Sequence, residues 1–419
     1  MTRLFFKTGI GVFLLITLFI GQPKAKTEFN ITGQVRARTE FDDKSFSPDI
    51  KSQNYSLLRT RLAVNARVKK NTSVYIQLQD SRTFGDYTFD NKPSSGALND
   101  GKNVDLHQGY IQIARLWTDN LGFKAGRFEQ NFGNQRVFGA VGWNNVSRSW
   151  DGAQLWYDFE QFKITGFFLK KLEKDALDGN RDFDISGAYA QLNKMNLDLF
   201  VFYELDANVS SIAGVRDLER WNIGTYYNRR CCRFDFTLNG VYQFGKKPAI
   251  PGEDYDELDI EAYMFAFEAG YRMEGDTKMR LAAGIDYTSG DGHSYDGKYR
   301  AYDNLYYTAH KFRGYMDYFT ASDEKGLVDV MLRVKMDPFP KWTVRGDFHY
   351  FKRAEDYANY LIVKTKDVGT EIDLTVSTTS VDGVTIDFGG GLFMPTESFA
   401  GVEDPDPGLW LFTSLTADF

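Results

Sequence analysis

Leu58-Arg59-Thr60-Arg61-Leu62-Ala63-Val64-Asn65-Ala66-Arg67-Val68 alternates apolar and polar side chains with a period of two. That period places Leu58, Thr60, Leu62, Val64, Ala66 and Val68 on one face of a β-strand and Arg59, Arg61, Asn65 and Arg67 on the other. An earlier segment repeats the pattern, with Ile31, Gly33, Val35 and Ala37 against Thr32, Gln34, Arg36 and Arg38, and it recurs up to the terminal Phe419. Strands of about ten residues with one apolar face suit a wall that has lipid on one side and water on the other. The expected fold is therefore all-β: a transmembrane antiparallel β-barrel.

Turn signals divide residues 26–419 into about eighteen strand-like segments forming a single barrel domain. Tight turns are expected at 69–71, 118–119, 160–161, 194–195, 230–232, 275–276, 338–340 and 381–382, alternating with long polar connections such as 83–103, 131–149, 245–259 and 290–324. Short periplasmic turns with long extracellular loops are the asymmetry of an outer-membrane barrel, and they put both termini in the periplasm. A soluble sandwich or propeller would use shorter strands and bury its apolar faces. Sixteen to eighteen strands leave an aqueous channel, narrowed only by loops or lumen side chains.

Residues 1–25 read as a cleaved signal peptide, with Arg3 and Lys7 ahead of an apolar run from Gly9 to Gly21 and Ala25 at its end. Its removal takes away three bases (Arg3, Lys7, Lys24) and no acid, moving the formal charge from −7 to −10 and arguing against nucleic acid as a partner. Mean hydropathy is −0.41, and no later stretch is long and apolar enough for a spanning helix. Cys231 and Cys232 are adjacent with no nearby His, so neither a metal nor another cofactor is expected.

Strand parity also assigns the lumen. Arg36, Arg38, Glu40, Arg59, Arg61 and Arg67 make the first two strands basic, while Asp235, Glu268, Asp286, Asp329, Arg333, Lys335, Arg345, Asp347, Glu371 and Asp373 make the later wall mixed to acidic. A transverse field across water follows, able to orient polar solutes. Arginine suits this role because its planar fork grips carboxylates and stays charged. A structural alternative is that these arginines pair with lumen acids and stiffen the wall. Arg127 shares the outward register of Leu121, Phe123 and Ala125, so a bulge near Gly126 is needed to turn it inward. Trp117, Trp156, Trp221 and Trp342 fit interfacial girdles, with sugar stacking the alternative for any inward-facing ring.

Several motifs go beyond a generic barrel. Leu57 to Leu62, Gln79-Asp80-Ser81-Arg82, Asp105 to Tyr110, Gly126-Arg127-Phe128-Glu129, Phe132-Gly133-Asn134-Gln135-Arg136 and Trp150-Asp151-Gly152 occur in that order. Lys298 to Tyr306, Thr308 to Asp317 and Gly369 to Leu374 follow. This series resembles the alginate export family of outer-membrane porins. The resemblance implies a monomeric eighteen-stranded barrel that passes an anionic polysaccharide or smaller solute through an arginine-lined pore. It also implies Arg59, Arg61, Arg82, Arg127, Gln135, Arg136 and Asp151 as the residues serving passage.

The expected function is an outer-membrane porin for a hydrophilic, anionic solute such as a polyuronate or oligosaccharide, exported or diffusing. Its surroundings would be outer-membrane lipid and lipopolysaccharide, with the barrel assembly machinery reading Phe419. An adhesive or receptor barrel with partner-binding loops is the second reading, and the 290–324 loop suits either surface contact or an inward-folded constriction. A barrel hydrolase is the third: only His107, His293, His310 and His349 exist and no G-x-S-x-G is present, so no enzyme is expected. The acidic 253–257 segment suits a solvated or lipopolysaccharide-facing loop, with cation binding the alternative.

Overall fold

The computed structural model describes residues 27–84, 104–173, 182–207, 217–249, 256–275, 277–293, 296–358 and 364–419. Residues 1–25, expected to be a signal peptide, and residues 253–255 of the acidic segment lie outside them. The strands are β1 (Glu28–Asp43), β2 (Gln53–Lys69), β3 (Thr72–Thr83), β4 (Asp105–Ile113), β5 (Leu121–Phe128), β6 (Trp150–Asp158) and β7 (Phe162–Leu172). Next come β8 (Phe183–Leu192), β9 (Leu197–Asp206), β10 (Leu218–Cys231), β11 (Phe234–Pro248), β12 (Glu257–Met273) and β13 (Lys278–Thr288). A two-residue β14 (Lys298–Tyr299) precedes β15 (Leu327–Asp337), β16 (Trp342–Ala358), β17 (Lys364–Thr378), β18 (Val384–Pro395) and β19 (Gly408–Asp418). Apart from β14, which makes a parallel bridge to β12, each strand pairs antiparallel with its neighbours in sequence, and β1 pairs with β19 to close the wall. Among the described residues the wall thus has eighteen strands.

The outer face carries the expected apolar set, including Leu62, Ile76, Leu155, Ile223, Val330, Leu332 and Leu415, all exposed without a bilayer. At the seam Phe419 exchanges backbone hydrogen bonds with Gly33 (2.7 and 3.0 Å). A Cβ at Gly33 would lie 2.3 Å from the Phe419 ring, so the terminal aromatic lies over a glycine on the lipid face. One turn differs from expectation. β4 stops at Ile113, and the chain from Ala114 to Asn120 forms a longer connection closed by Arg115 and Asp119 (3.4 Å), with Trp117 projecting into solvent.

The lumen is not uniformly aqueous. On β6 to β9 the inward face is itself apolar, with Trp150, Phe167, Leu169, Ile185, Tyr189, Phe200 and Phe202 packed against Val137, Phe138, Tyr302 and Tyr306. Those last residues belong to the two connections after β5 and β13, which fold into the barrel. The loops are bonded to each other: Gly139 N donates to Tyr306 O (2.8 Å), Tyr306 N to Val137 O (3.0 Å) and Thr308 N to Gln135 O (3.0 Å). One half of the bore is therefore a hydrophobic core, and the open space is displaced toward β13 to β19 and β1 to β3. A charge placed on the lipid face should be costly: Val330→Arg is expected to lower barrel stability by about 2–4 kcal/mol in denaturant titrations from lipid vesicles.

Candidate functional site: a divided lumen

The arginines of β1 and β2 reach mainly for loop backbone. Arg36 donates to Gly142 O (3.1 Å) and Asn144 O (3.0 Å), Arg38 to Trp143 O (2.6 Å), and Arg59 to Gly142 O (2.9 Å) and Asn144 O (3.0 Å). Arg61 donates to Gln79 Oε1 (2.6 Å) and Ser147 Oγ (2.7 Å). Ser81 adds a hydrogen bond to Asn145 O (2.8 Å). Loop carbonyls turned into the barrel need donors, and charged donors make such bonds worth about 1.5–3 kcal/mol each. Arg67 stands apart at the turn end of the lumen, exposed and paired with Glu28 (3.1 Å).

The later wall supplies the opposite complement. Asp286, fully buried, receives Arg136 from the first loop and Arg313 from the second (3.2 Å). Arg136 also stacks on Phe312 at 4.0 Å. Glu204 on β9 accepts from Arg220 (2.7 and 3.2 Å), Asn222 (2.8 Å) and the Tyr306 hydroxyl (2.6 Å), and Arg220 meets Asp303 (2.9 Å). Burial and the Glu204 carboxylate hold the Tyr306 phenol well above its usual range, so it remains a donor. Glu268 takes Arg280 (2.7 Å) and Arg333 (3.0 Å), and Asp235 takes Arg272 (2.8 Å) as well as Arg280 (2.5 Å). Much of the acidic wall is thereby neutralised. Gln135 sits at φ 72°, its side chain accepting from Thr308 Oγ1 (3.0 Å), which fixes one loop to the other.

Three expected pore residues lie elsewhere. Arg82 alternates away from Gln79 and Ser81 and pairs with Asp80 on the outer face. Arg127 grips Asp151 with a fork (2.9 and 2.6 Å), also on the outer face. The β4–β5 and β5–β6 ladders run without a register shift, so there is no bulge to turn Arg127 inward, and Phe128, its buried neighbour, takes the lumen side. Asp151 keeps the parity of Leu155. Trp156 shares the lumen parity of Gln154 and packs over Gly122, rather than forming part of a girdle.

Among the described residues, two charged cavities lie beside the loops. One, near the loop end, has a volume of about 470 Å³ and balanced charge, with Arg38, Lys44 and Arg148 against Glu40, Asp42 and Asp317. The other, toward the turn end, has a volume of about 500 Å³ and is lined by Arg280, Lys311, Arg333, Lys335 and Arg345 against only Asp347 and Asp387. Lys335 and Arg345 are cross-strand partners exposed to the lumen, and Arg280 faces Lys335 on its other side. Burial, with Arg136 and Arg333 nearby, holds the Lys311 ammonium below the ordinary lysine range. Sequence parity identified Arg333, Lys335 and Arg345, whereas Trp143, Lys311 and the loop carbonyls were not singled out. Their signal was the density of aromatic residues from Tyr299 to Phe319, too apolar for a loop left in water.

A closed barrel whose strands carry a lipid-facing surface and whose loops turn inward to leave a charged passage is an outer-membrane porin. The chain belongs to the alginate export family, whose profile matches residues 27–404. No curated protein matches it in sequence. Its structure is similar to OccAB1 of Acinetobacter baumannii (TM-score 0.59, 12% identity, covering 93% of this chain and 96% of that one). It is likewise similar to OccAB4 of the same organism (0.60, 12%, 95% and 100%) and to OccK2 (OpdF) of Pseudomonas aeruginosa in complex with glucuronate (0.59, 10%, 94% and 98%). At these identities the likeness concerns the fold.

Because Asp286 is the carboxylate on which both loops converge, Asp286→Ala should leave two buried guanidinium groups uncompensated at a cost of about 3–5 kcal/mol. Limited proteolysis of the folded barrel should then cut within 290–324, a segment the unaltered protein protects; equal protection would contradict this docking.

Proposed function

We propose that the protein is an outer-membrane channel for hydrophilic anions of the uronate or acidic oligosaccharide class, and that the cavity containing Lys335 and Arg345 reads the charge. The observation that carries this is the pairing of two cations directly across a ladder with no acid among the described residues bonded to either. Like charges in that relation destabilise a sheet, so the fold gains nothing from them, whereas a passing carboxylate gains a site. The hydroxyls of Thr375 and Ser377 line the same cavity and offer hydrogen bonds to a sugar. Glucuronate, present in the OccK2 structure, belongs to this chemical class.

Arg36, Arg38, Arg59, Arg61, Gln135, Arg136 and Arg333, which donates to Phe312 O (2.9 Å), act on the solute through the loops they hold, and Lys335 acts directly. Arg82, Arg127 and Asp151, on the outer face toward the loop end, meet the lipopolysaccharide layer instead. The short turns and both termini face the periplasm, Phe419 is offered to the barrel assembly machinery, and the barrel works as a monomer without catalysing a reaction.

In planar bilayers the protein should conduct. Lys335→Glu combined with Arg345→Glu should shift permeability toward cations and weaken block by oligouronates at least about tenfold, equivalent to about 1.4 kcal/mol. Absence of conductance, or unchanged selectivity and block in the double variant, would overturn the reading.

A further inference from the structure

The two cavities meet at a continuous stack of side chains. The Arg38 guanidinium carbon lies 4.1 Å from the Trp143 ring centre, His310 lies parallel to that indole at 4.2 Å and 5°, and Tyr315 stacks on His310 at 5.0 Å and 21°. At such distances no two partners can share one face of a ring, so the four groups stand in series. Trp410 and Phe412 on β19 meet the indole edge-on at 75° and 79°, bracing it from the wall. Among the described residues, Trp143 and His310 alone line both cavities. They come from different loops, so a solute passing from one cavity to the other has to part them or pass beside them.

The Tyr315 end of the stack rests on an unusual seat. Tyr315 N donates to Asp373 Oδ2 (3.2 Å) and Met316 N to Glu371 Oε1 (2.9 Å). Gly314 permits the approach: it has φ 78°, and a Cβ there would lie 2.4 Å from Glu371 Oε1. Both carboxyl groups are buried on one face of β17 and touch each other, and Glu371 Oε2 and Asp373 Oδ1 receive no donor. Across the ladder from them stand His349 and Asp347 on β16 and, from β18, only Phe393 and Gly391. His349 is bonded to Asp329 (2.9 Å), Asp347 has Arg333 at 3.8 Å, and Arg345 lies farther along β16. The covering loop presents Tyr315, Tyr318, Arg313 bound to Asp286, and Asp317 bound to His310 (3.1 Å). Among the described residues no cation bonds either carboxyl, and two buried carboxyls side by side favour one shared proton over two bare charges.

Resting on the channel reading, we propose that the Arg38–Trp143–His310–Tyr315 stack is the partition that sets the size of solute admitted, and that the carboxyl pair beneath it makes closure proton-dependent. Loss of the shared proton leaves two adjacent negative charges that can regain hydration only if the 313–317 segment lifts, taking Tyr315 off the stack. Closure therefore belongs to low pH and opening to high pH.

The test is single-channel recording, with heat-modified gel mobility reporting that each variant is folded. Trp143→Ala should raise conductance severalfold and admit neutral oligosaccharides that the unaltered channel excludes; unchanged conductance and exclusion would overturn the partition. Conductance of the unaltered channel should rise between about pH 5 and about pH 9, and Glu371→Gln with Asp373→Asn should hold it at the low-pH value. His310→Phe, which keeps a ring between Trp143 and Tyr315, should keep the rise. A rise that persists in the carboxyl double variant, disappears with His310→Phe, or is absent from the unaltered channel would overturn the proton dependence. Silence from every form, the unaltered protein included, would instead defeat the channel reading itself.

Discussion

Mutual neutralisation between wall and loops is the constraint on which the rest of this structure depends. Two long connections enter a bore that the sheet alone would leave full of water, and each brings backbone carbonyls and charges that must find partners. The basic strands β1 and β2 provide donors to the carbonyls of 142–144, and the acidic strands β9 and β13 provide Glu204 and Asp286 to Arg220, Tyr306, Arg136 and Arg313. What stays uncompensated is then available to a solute, and it is mainly cationic.

The packing follows from the same arrangement. Aromatic rings of the loops cover the apolar lumen face of β6 to β9, turning half of the cross-section into a core and leaving the passage along the opposite wall. A second aromatic group around Phe46, Tyr318, Phe319, Phe351 and Phe393 fastens the end of the second loop to β16 and β18. Between these two anchors lie Trp143 and His310, which line both cavities.

The barrel was legible because lipid imposes alternation on every strand, and all eighteen wall strands fall on segments whose period is visible in sequence. The face each side chain takes was equally legible where parity was followed: Arg36, Arg38, Arg59, Arg61, Arg333 and Lys335 all point inward. Arg82, Arg127 and Asp151 were assigned from motif order against their parity, and the ladders return them to the outer face. The pairing of residues inside the bore could not be read, because it depends on loops more than a hundred residues apart meeting in space, as Trp143 and His310 do. Nor does parity distinguish an arginine that faces solute from one that holds a carbonyl.

The reversal potential of the unaltered channel in a potassium chloride gradient tests this account most directly. If the wall's own arginines and the docked loops consume the acidic wall, the current is anion-selective despite a chain of net negative charge. Cation selectivity, the result that net charge alone would give, would contradict it.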